Sequence, residues 1–280
     1  PAYTMFNRTG VCERCINGNV LHVIRHRCVR DSLVTSGLVA VESGIHKALG
    51  LWKKNLDRVV APSNFYRDKL IEWGWPEKQV TYIPNYIDSD AYEPQFAPGD
   101  YFFYFGRLTK QKGVETLIRA VADTDLRLLL AGTGPDEEYL KSLVPADSNR
   151  IEFLGYCTGD RLKQLIREAR AIVLPSVGYE NAPISVLEAY ASGKPVIGAA
   201  IGGIPELIRD GTGKTYQSGH VAQLRECLQG FQDLPVDRIQ EMGMESRALV
   251  SREFTSARYF ERMQALYREL LPSSGKGGGE

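Results

Sequence analysis

Short, mainly apolar runs alternate with segments of helical spacing along most of the chain. The runs lie at 101–105, 127–131, 151–154, 171–174 and 195–199, and helices are predicted at 113–123, 136–144, 159–169, 183–192 and from residue 204. Strands this apolar must be covered on both faces, which the intervening helices can do. The pattern therefore predicts an α/β fold built on a doubly wound, Rossmann-like parallel sheet.

A smaller unit precedes this series. Apolar residues recur mostly every three or four positions in residues 31–55, which predicts a helix with an apolar face at Leu33, Leu38, Val41, Ile45, Leu49 and Trp52. Short strands near 57–61 and 80–83 flank a helix at 65–74, so residues 56–84 are predicted to form a strand–helix–strand unit. Residues 85–100 are rich in turn residues and predict a linker, and residues 237–271 predict a helical tail.

Composition and charge narrow the class of protein. The 280 residues suit two domains, and 34 basic residues balance 34 acidic ones, which argues against a nucleic-acid partner. No run approaches the roughly 20 apolar residues of a membrane span. The five cysteines are an odd number and favour a reducing, cytoplasmic compartment over a disulfide framework.

The loop after the first strand of the main series carries two cations. Gly106 and Arg107 follow the strand, and Lys112 comes just before a predicted helix. Arginine binds phosphate through a planar fork, lysine acts as a point charge, and a helix start also attracts anions. The spacing suits a diphosphate, although a solvated basic loop would look the same. Gly132 and Gly134 form a tight turn after the next strand, which either contacts a nucleotide or only connects two elements.

Two glutamates follow the fourth strand of the series. Glu180 lies in the loop and Glu188 in the first two turns of the next predicted helix, so both can face one ligand at the carboxyl edge of the sheet. Carboxylates accept paired hydrogen bonds from vicinal hydroxyls, which ribose and hexoses supply. Asn181, Ala182 and Pro183 lead into the helix, whose free N–H groups can meet sugar or phosphate oxygens. The alternative for Glu188 is a surface ion pair.

Cysteines and basic residues cluster near the amino terminus. Cys12, Cys15 and Cys28, with a histidine, could hold a structural zinc, and the alternative is reduced, unligated thiols. The basic stretch from Arg25 to Lys54 suggests contact with an anionic membrane surface or a lipid-linked acceptor, or else a solvated face.

The ordered series of motifs resembles the retaining GT-B glycosyltransferases of family four, also called glycosyl transferases group 1. The motifs are Gly-Arg-Leu with Lys-Gly at 106–113, Ala-Gly-Thr-Gly-Pro at 131–135, Pro-Ser to Glu-Ala at 175–189, Gly-Lys-Pro-Val at 193–196 and Gly-Gly-Ile-Pro-Glu at 202–206. The resemblance covers about residues 56–271. It implies a hexosyltransferase of polysaccharide or glycolipid biosynthesis that uses a nucleotide-diphosphate sugar as donor, retains configuration and requires no cofactor or metal.

The resemblance also assigns residues. It implies that Arg107 and Lys112 hold the donor diphosphate and that Glu180 lies near the donor sugar. Glu188 matches the glutamate that binds the ribose hydroxyls. The remaining donor-binding positions that it implies are Gly106, Gly132, Gly134, Asn181, Ala182, Pro183 and Ile184.

The domain organisation expected from the resemblance is a partial amino-terminal, acceptor-side domain at 1–90 and a donor-binding domain at 91–257. Residues 258–280 would form a helix packing back towards the first domain, with a flexible tail. The family's glycine-rich first loop and its histidine near the donor sugar have no match here, so weak or absent sugar transfer by this chain is expected. The alternatives are a nucleotide-sugar-binding fragment without catalysis and another GT-B enzyme, such as a sugar-nucleotide epimerase.

Overall fold

A six-stranded parallel sheet forms the centre of the protein. The computed structural model describes residues 5–16, 19–146 and 148–271. The six strands follow the order β10-β9-β8-β5-β6-β7, and every neighbouring pair is parallel. The strands of the described residues are Phe6–Asn7 (β1), Gly10–Val11 (β2), Val59–Ala61 (β3), Val80–Tyr82 (β4), Tyr101–Phe105 (β5), Arg127–Ala131 (β6), Ile151–Gly155 (β7), Ala171–Leu174 (β8), Val196–Ala199 (β9) and Gly213–Tyr216 (β10).

Helices cover both faces of this sheet. In chain order the α-helices of the described residues are Leu21–Arg25 (α1), Leu33–Leu49 (α2), Leu51–Asn55 (α3), Asn64–Glu72 (α4), Val114–Val121 (α5), Glu137–Ser142 (α6), Gly159–Glu168 (α7), Ile184–Ala191 (α8), Ile204–Leu207 (α9), Val221–Asp233 (α10), Val236–Glu253 (α11) and Ser256–Leu270 (α12). Short 3-10 turns lie at Glu77–Gln79, Ser89–Ala91 and Lys110–Lys112. None of the helices described is long and apolar enough to cross a membrane.

The alternation of side chains along β5 divides the core into two layers. Phe102 and Tyr104 pack on one face of the sheet with residues of α5 and α10. Tyr101 and Phe103 pack on the opposite face, with residues of α7, α8, α9 and α11. Successive side chains of a strand point to opposite faces, so a strand that is apolar throughout requires cover on both sides. The doubly wound α/β fold predicted from the sequence is confirmed.

A second, smaller unit precedes the six-stranded sheet. Strands β3 and β4 pair in parallel, and α4 joins them and packs Leu70 against Ala61 and Val80. Ser63 caps α4 by accepting a hydrogen bond from the backbone N–H of Tyr66 at 3.1 Å. The strand–helix–strand unit predicted for residues 56–84 is therefore present.

The helix predicted at 31–55 forms, but the side that it buries differs from the expected one. Gly50 adopts a left-handed conformation with φ 64° and divides the helix into α2 and α3. The predicted apolar face is exposed at all six of its positions, and the small residues Ser36 and Ala40 are buried instead. Ala40 packs with Val23 and Val29, because small side chains let α2 approach α1 closely.

The linker and the last helices join the two units. The backbone N–H of Ile87 donates to the carbonyl of Phe254 at 2.9 Å, and Tyr86 packs on Tyr259 with ring centroids 4.8 Å apart. The helical tail predicted at 237–271 is divided into α11 and α12 by a break after Glu253. The tail beyond residue 271 lies outside the described residues, and the domain boundaries stay a prediction.

A buried lysine anchors the linker to the sheet. The side chain of Lys194 is fully buried, and its Nζ donates to the carbonyl oxygen of Ala97 at 2.8 Å. Burial lowers the pKa of Lys194 to about 7, against the opposing effect of the negative charge of Glu168. The loss of the positive charge from the buried ammonium group is therefore favoured as the pH rises above neutrality.

Replacing Lys194 with methionine is expected to reduce the pH dependence of stability between pH 7 and 9. In this window the unfolded chain carries a proton on Lys194 that the folded protein has released, so the folded protein gains stability as the pH rises. One proton contributes at most about 1.4 kcal/mol per pH unit. Urea unfolding across this range measures the slope, with Lys214→Met at an exposed lysine as the control. Equal slopes in all three proteins would contradict the expectation.

Candidate functional site

The predicted site residues lie at the carboxyl ends of the parallel strands, where neighbouring loops are tied together through their backbones. The N–H of Gly106, after β5, donates to Ala131 at 2.9 Å, and the N–H of Leu108 donates to Thr133 at 3.0 Å. The N–H of Gly132 donates to Gly155 at 2.7 Å. These bonds hold the loops after β5, β6 and β7 against one another along a single edge of the sheet.

Lys112 and Glu180 meet in an ion pair at this edge. Lys112 Nζ lies 2.7 Å from Glu180 Oε1, which also accepts a hydrogen bond from the Ser176 hydroxyl at 2.8 Å. The backbone carbonyl of Gln111, the residue before Lys112, accepts the N–H groups of Val177 and Gly178. The loop that carries Lys112 is therefore also bonded to the loop that carries Glu180. The structure therefore brings together two of the three residues predicted to be catalytic, and it fixes the orientation of Glu180.

Arg107 is placed differently from Lys112. Its side chain is exposed, and among the described residues the guanidinium has no hydrogen bond or ion pair. Its backbone carbonyl is held at 2.8 Å by the hydroxyl of Tyr104, a buried residue of β5. The main chain of Arg107 is thus fixed while its charged group stays open to solvent, which suits a group that binds an anion from outside.

The two glycines of the turn after β6 serve the contact between loops. A Cβ atom on Gly132 would lie 1.9 Å from the carbonyl oxygen of Gly106, and one on Gly134 would lie 2.1 Å from that of Leu108. Gly132 also has φ 135°, a conformation that other residues rarely adopt. The N–H of Gly132 is already bonded to Gly155, so its predicted role beside a nucleotide stays a prediction.

The segment before α8 is hydrogen-bonded to the amino-terminal unit and to the linker. The hydroxyl of Ser63 donates to Asn181 Oδ1 at 2.7 Å, and the side-chain amide of Asn85 donates to the carbonyl of Ala182 at 3.0 Å. Pro183 is the residue before the first turn of α8, and the side chain of Ile184 is exposed there. Residues 181–184 thus form a braced turn at the start of a helix.

Glu188 faces the linker. The hydroxyl of Tyr92 donates to Glu188 Oε1 at 3.1 Å. Burial raises the pKa of Glu188 above its ordinary value, and the hydrogen bond from Tyr92 opposes this shift only in part. Among the described residues Glu188 forms no ion pair, and its described partner is the hydroxyl of Tyr92.

Within the residues that the structure describes, nothing supports the zinc site considered at the amino terminus. Within the part of the chain that the structure describes, no group of three or more cysteine, histidine or acidic side chains is arranged to hold a metal ion. Cys15 is buried in the small apolar cluster of α1 and α2, and His26 lies 2.7 Å from the guanidinium of Arg14. None of the five cysteines forms a disulfide bond, and the choice between a zinc site and unligated thiols stays a prediction.

Three residues that touch the site were missed in the sequence. Tyr92 lies in the linker, Asn85 follows β4, and Ser63 comes directly before α4. Their contacts join positions 96 to 118 residues apart, and no local pattern indicates such pairs. Ser176 stands within the Pro-Ser motif, where its distance of four residues from Glu180 was the available signal.

Comparison with known proteins finds similarity to one family over part of the chain. The family described as glycosyl transferases group 1 matches residues 99–231. An uncharacterized glycosyltransferase of Methanocaldococcus jannaschii is 41% identical over 112 residues, which cover 38% of this chain and 28% of that protein. The alpha-maltose-1-phosphate synthase of Mycolicibacterium smegmatis is 30% identical over 250 residues, which cover 76% of this chain and 63% of that protein. The chain therefore spans less than two thirds of the length of either relative.

Solved structures show the same fold. The Anabaena protein HepE, in complex with UDP, has a TM-score of 0.70 at 22% identity, and the match covers 84% of this chain and 68% of HepE. The sucrose-phosphate synthase of Thermosynechococcus elongatus has a TM-score of 0.68 at 24% identity over 80% of this chain and 62% of its own. The fold is of the GT-B type, as the motifs predicted.

Proposed function

We propose that the protein transfers a hexosyl unit from a nucleotide-diphosphate sugar to a glycan or lipid-linked acceptor, because residues 99–231 match the family described as glycosyl transferases group 1. HepE, which shares the fold, binds UDP in its crystal structure. An Escherichia coli relative, 25% identical over 231 residues, carries the name "Putative colanic acid biosynthesis glycosyltransferase", which supports a role in polysaccharide synthesis.

The observation that carries this proposal is the pair of cations at the carboxyl edge of the sheet. Arg107 is open to solvent, and Lys112 lies beside Glu180 directly before α5. When the bond between sugar and phosphate breaks, negative charge grows on the departing diphosphate. Positive groups fixed at that point stabilise the transition state more than the bound donor, which is the requirement for catalysis.

We propose that configuration is retained and that no metal is required. Arg107 and Lys112 supply the positive charge that a metal ion would otherwise bring to the diphosphate. In front-face attack the acceptor enters on the side from which the diphosphate leaves, so no enzyme nucleophile is assigned. Glu180, held by Lys112 and Ser176, is proposed to orient the donor sugar through its hydroxyls.

Replacing Arg107 with alanine is expected to weaken binding of a nucleoside diphosphate by about ten- to hundredfold, because a charge-assisted hydrogen bond contributes roughly 1.5–3 kcal/mol. Calorimetric titration with UDP, GDP and ADP measures the affinity and identifies the base. Arg119→Ala is the matched control, since Arg119 is an exposed arginine on α5 that pairs with Glu115. Equal losses in both variants, or none in Arg107→Ala, would count against a diphosphate at this loop.

Two other functions would use the same residues. A module that binds a nucleotide sugar without transferring it would pass the titration, and so would a sugar-nucleotide epimerase of GT-B fold. Transfer of label from a radiolabelled donor to an acceptor, even at the low rate expected of this chain, identifies a transferase, because neither alternative links the sugar to an acceptor. Contact of the stretch from Arg25 to Lys54 with an anionic membrane stays a prediction.

A further inference from the structure

The Gly-Gly-Ile-Pro-Glu motif at 202–206 connects the site to the amino-terminal unit. Its two glycines lie directly against the segment before α8. A Cβ atom on Gly202 would lie 2.2 Å from the carbonyl oxygen of Glu180, and one on Gly203 would lie 1.8 Å from that of Asn181. The N–H of Gly203 donates to the Glu180 carbonyl at 2.7 Å.

Glu206, the last residue of the motif, contacts the amino-terminal unit. Glu206 Oε2 accepts the backbone N–H of Asn64 at 2.8 Å, and Glu206 Oε1 accepts that of Phe65 at 2.5 Å. These are the first two N–H groups of α4 in the amino-terminal unit, and they have no partner within their own helix. A negative charge at a helix amino terminus is also favoured by the helix dipole.

Ser63 completes the connection between the two units. Its hydroxyl oxygen caps α4 at the N–H of Tyr66 and its hydroxyl hydrogen is donated to Asn181, the residue next to Glu180. The start of α4 is therefore bound to the site segment twice, directly through Ser63 and indirectly through Glu206 and the glycine turn. A displacement of α4 must be accompanied by a displacement of one of these contacts.

We propose that Glu206 is a positioning residue that couples the amino-terminal unit to the donor-site segment at 180–183. In this coupling, restricting the motion of Glu180 and Asn181 also restricts the motion of α4. Restricting the motion of α4 likewise restricts Glu180 and Asn181. The contact between the two units follows from the geometry alone. Its expected consequence, that a bound donor strengthens this contact, rests on the proposed function.

Amide hydrogen exchange tests the coupling without any ligand. In Glu206→Ala, exchange of the Asn64 and Phe65 amides is expected to accelerate by about fivefold or more, as for loss of a helix cap. Exchange of the Gly203 amide, which is bonded to Glu180, is expected to accelerate as well. Acceleration at Asn64 and Phe65 alone would mean that Glu206 is only a local cap, and no acceleration anywhere would mean that the carboxylate does not hold α4. Either result overturns the proposal.

Two further variants keep the result interpretable. Glu206→Gln retains one acceptor oxygen and should give an intermediate acceleration, and it carries the test if Glu206→Ala does not fold. Glu115→Ala removes a partly exposed glutamate that pairs with Arg119 on α5 and should leave all three amides unchanged.

A nucleotide titration separates this proposal from the proposed function. If UDP, GDP or ADP binds, it is expected to slow exchange of Asn64 and Phe65 in the unaltered protein and to slow it less in Glu206→Ala, where the Ser63–Asn181 contact remains, because coupling between two sites is reciprocal. Binding without this protection overturns the coupling and leaves the proposed function standing. Absence of binding by any nucleotide, with the ligand-free coupling present, counts against the proposed function alone.

Discussion

Replacing Glu188 with glutamine is expected to weaken nucleotide binding and, at the same time, to stabilise the protein without ligand. Loss of the charged acceptor for the ribose hydroxyls should lower the affinity by about ten- to hundredfold. Burial raises the pKa of Glu188, so folding disfavours its charged form, which glutamine replaces with a neutral group of the same shape. Calorimetric titration and urea unfolding at pH 7 measure the two effects.

Protonation of Glu188 in the unaltered protein should have the same effects on stability and on nucleotide affinity as its replacement with glutamine. Because the pKa of Glu188 is higher in the folded protein than in the unfolded chain, the contribution of this residue to stability improves as the pH falls through the folded pKa. Nucleotide affinity should decline over the same range, since protonation removes the acceptor. The Glu188→Gln variant should lack both components.

Tyr92→Phe is the matched control for Glu188. It removes the hydroxyl that donates to Glu188 and leaves the carboxylate in place. We expect a loss of stability and a small change in affinity, the opposite balance from Glu188→Gln. An unchanged affinity in Glu188→Gln would show that this carboxylate does not contact the nucleotide.

Burial on both faces explains which parts of the fold could be predicted. The strands at 101–105, 127–131 and 171–174 were predicted to the residue, because each is a mainly apolar run between clear breaks. Strand β10 was missed. Its residues Gly213, Lys214 and Thr215 are not apolar, and only Tyr216 is buried. A strand at the edge of the sheet does not require an apolar run.

Helix α10 was also missed, although its sequence carries the spacing of a helix. Its buried residues Leu224, Cys227, Leu228 and Phe231 follow the helical spacing of three and four, so the signal was present in the sequence. For α2 the helix was predicted but its buried side was not. Its apolar spacing predicted a helix correctly, but not which side of the helix would be buried, because that depends on the neighbouring element.

The site could be predicted as a set of residue types and not as a set of contacts. Arg107, Lys112 and Glu180 were identified from loops that follow strands, since parallel strands end at one edge. The bond between Lys112 and Glu180 joins positions 68 residues apart and depends on which strands are neighbours. The order β8-β5 in the sheet, which places these two loops side by side, has no local signature in the sequence.

Replacing Gly132 with alanine is expected to destabilise the protein by about 2–5 kcal/mol, from the combined effects of backbone strain and overpacking. The new methyl group would lie 1.9 Å from the carbonyl oxygen of Gly106, and φ 135° is unfavourable for any other residue. Relief requires the loop after β5 to move, and that loop carries Arg107. Nucleotide affinity should therefore fall in the fraction that remains folded.

Gly155→Ala separates these two causes. Gly155 also has a positive φ, of 67°, but an added Cβ atom would meet nothing within 4 Å. Its replacement should cost only the backbone strain, about 1–2 kcal/mol, and should leave nucleotide affinity unchanged. Urea unfolding of both variants measures the difference. Equal destabilisation by the two substitutions would mean that Gly132 is required for its backbone conformation alone, and that the contact with Gly106 does not position Arg107.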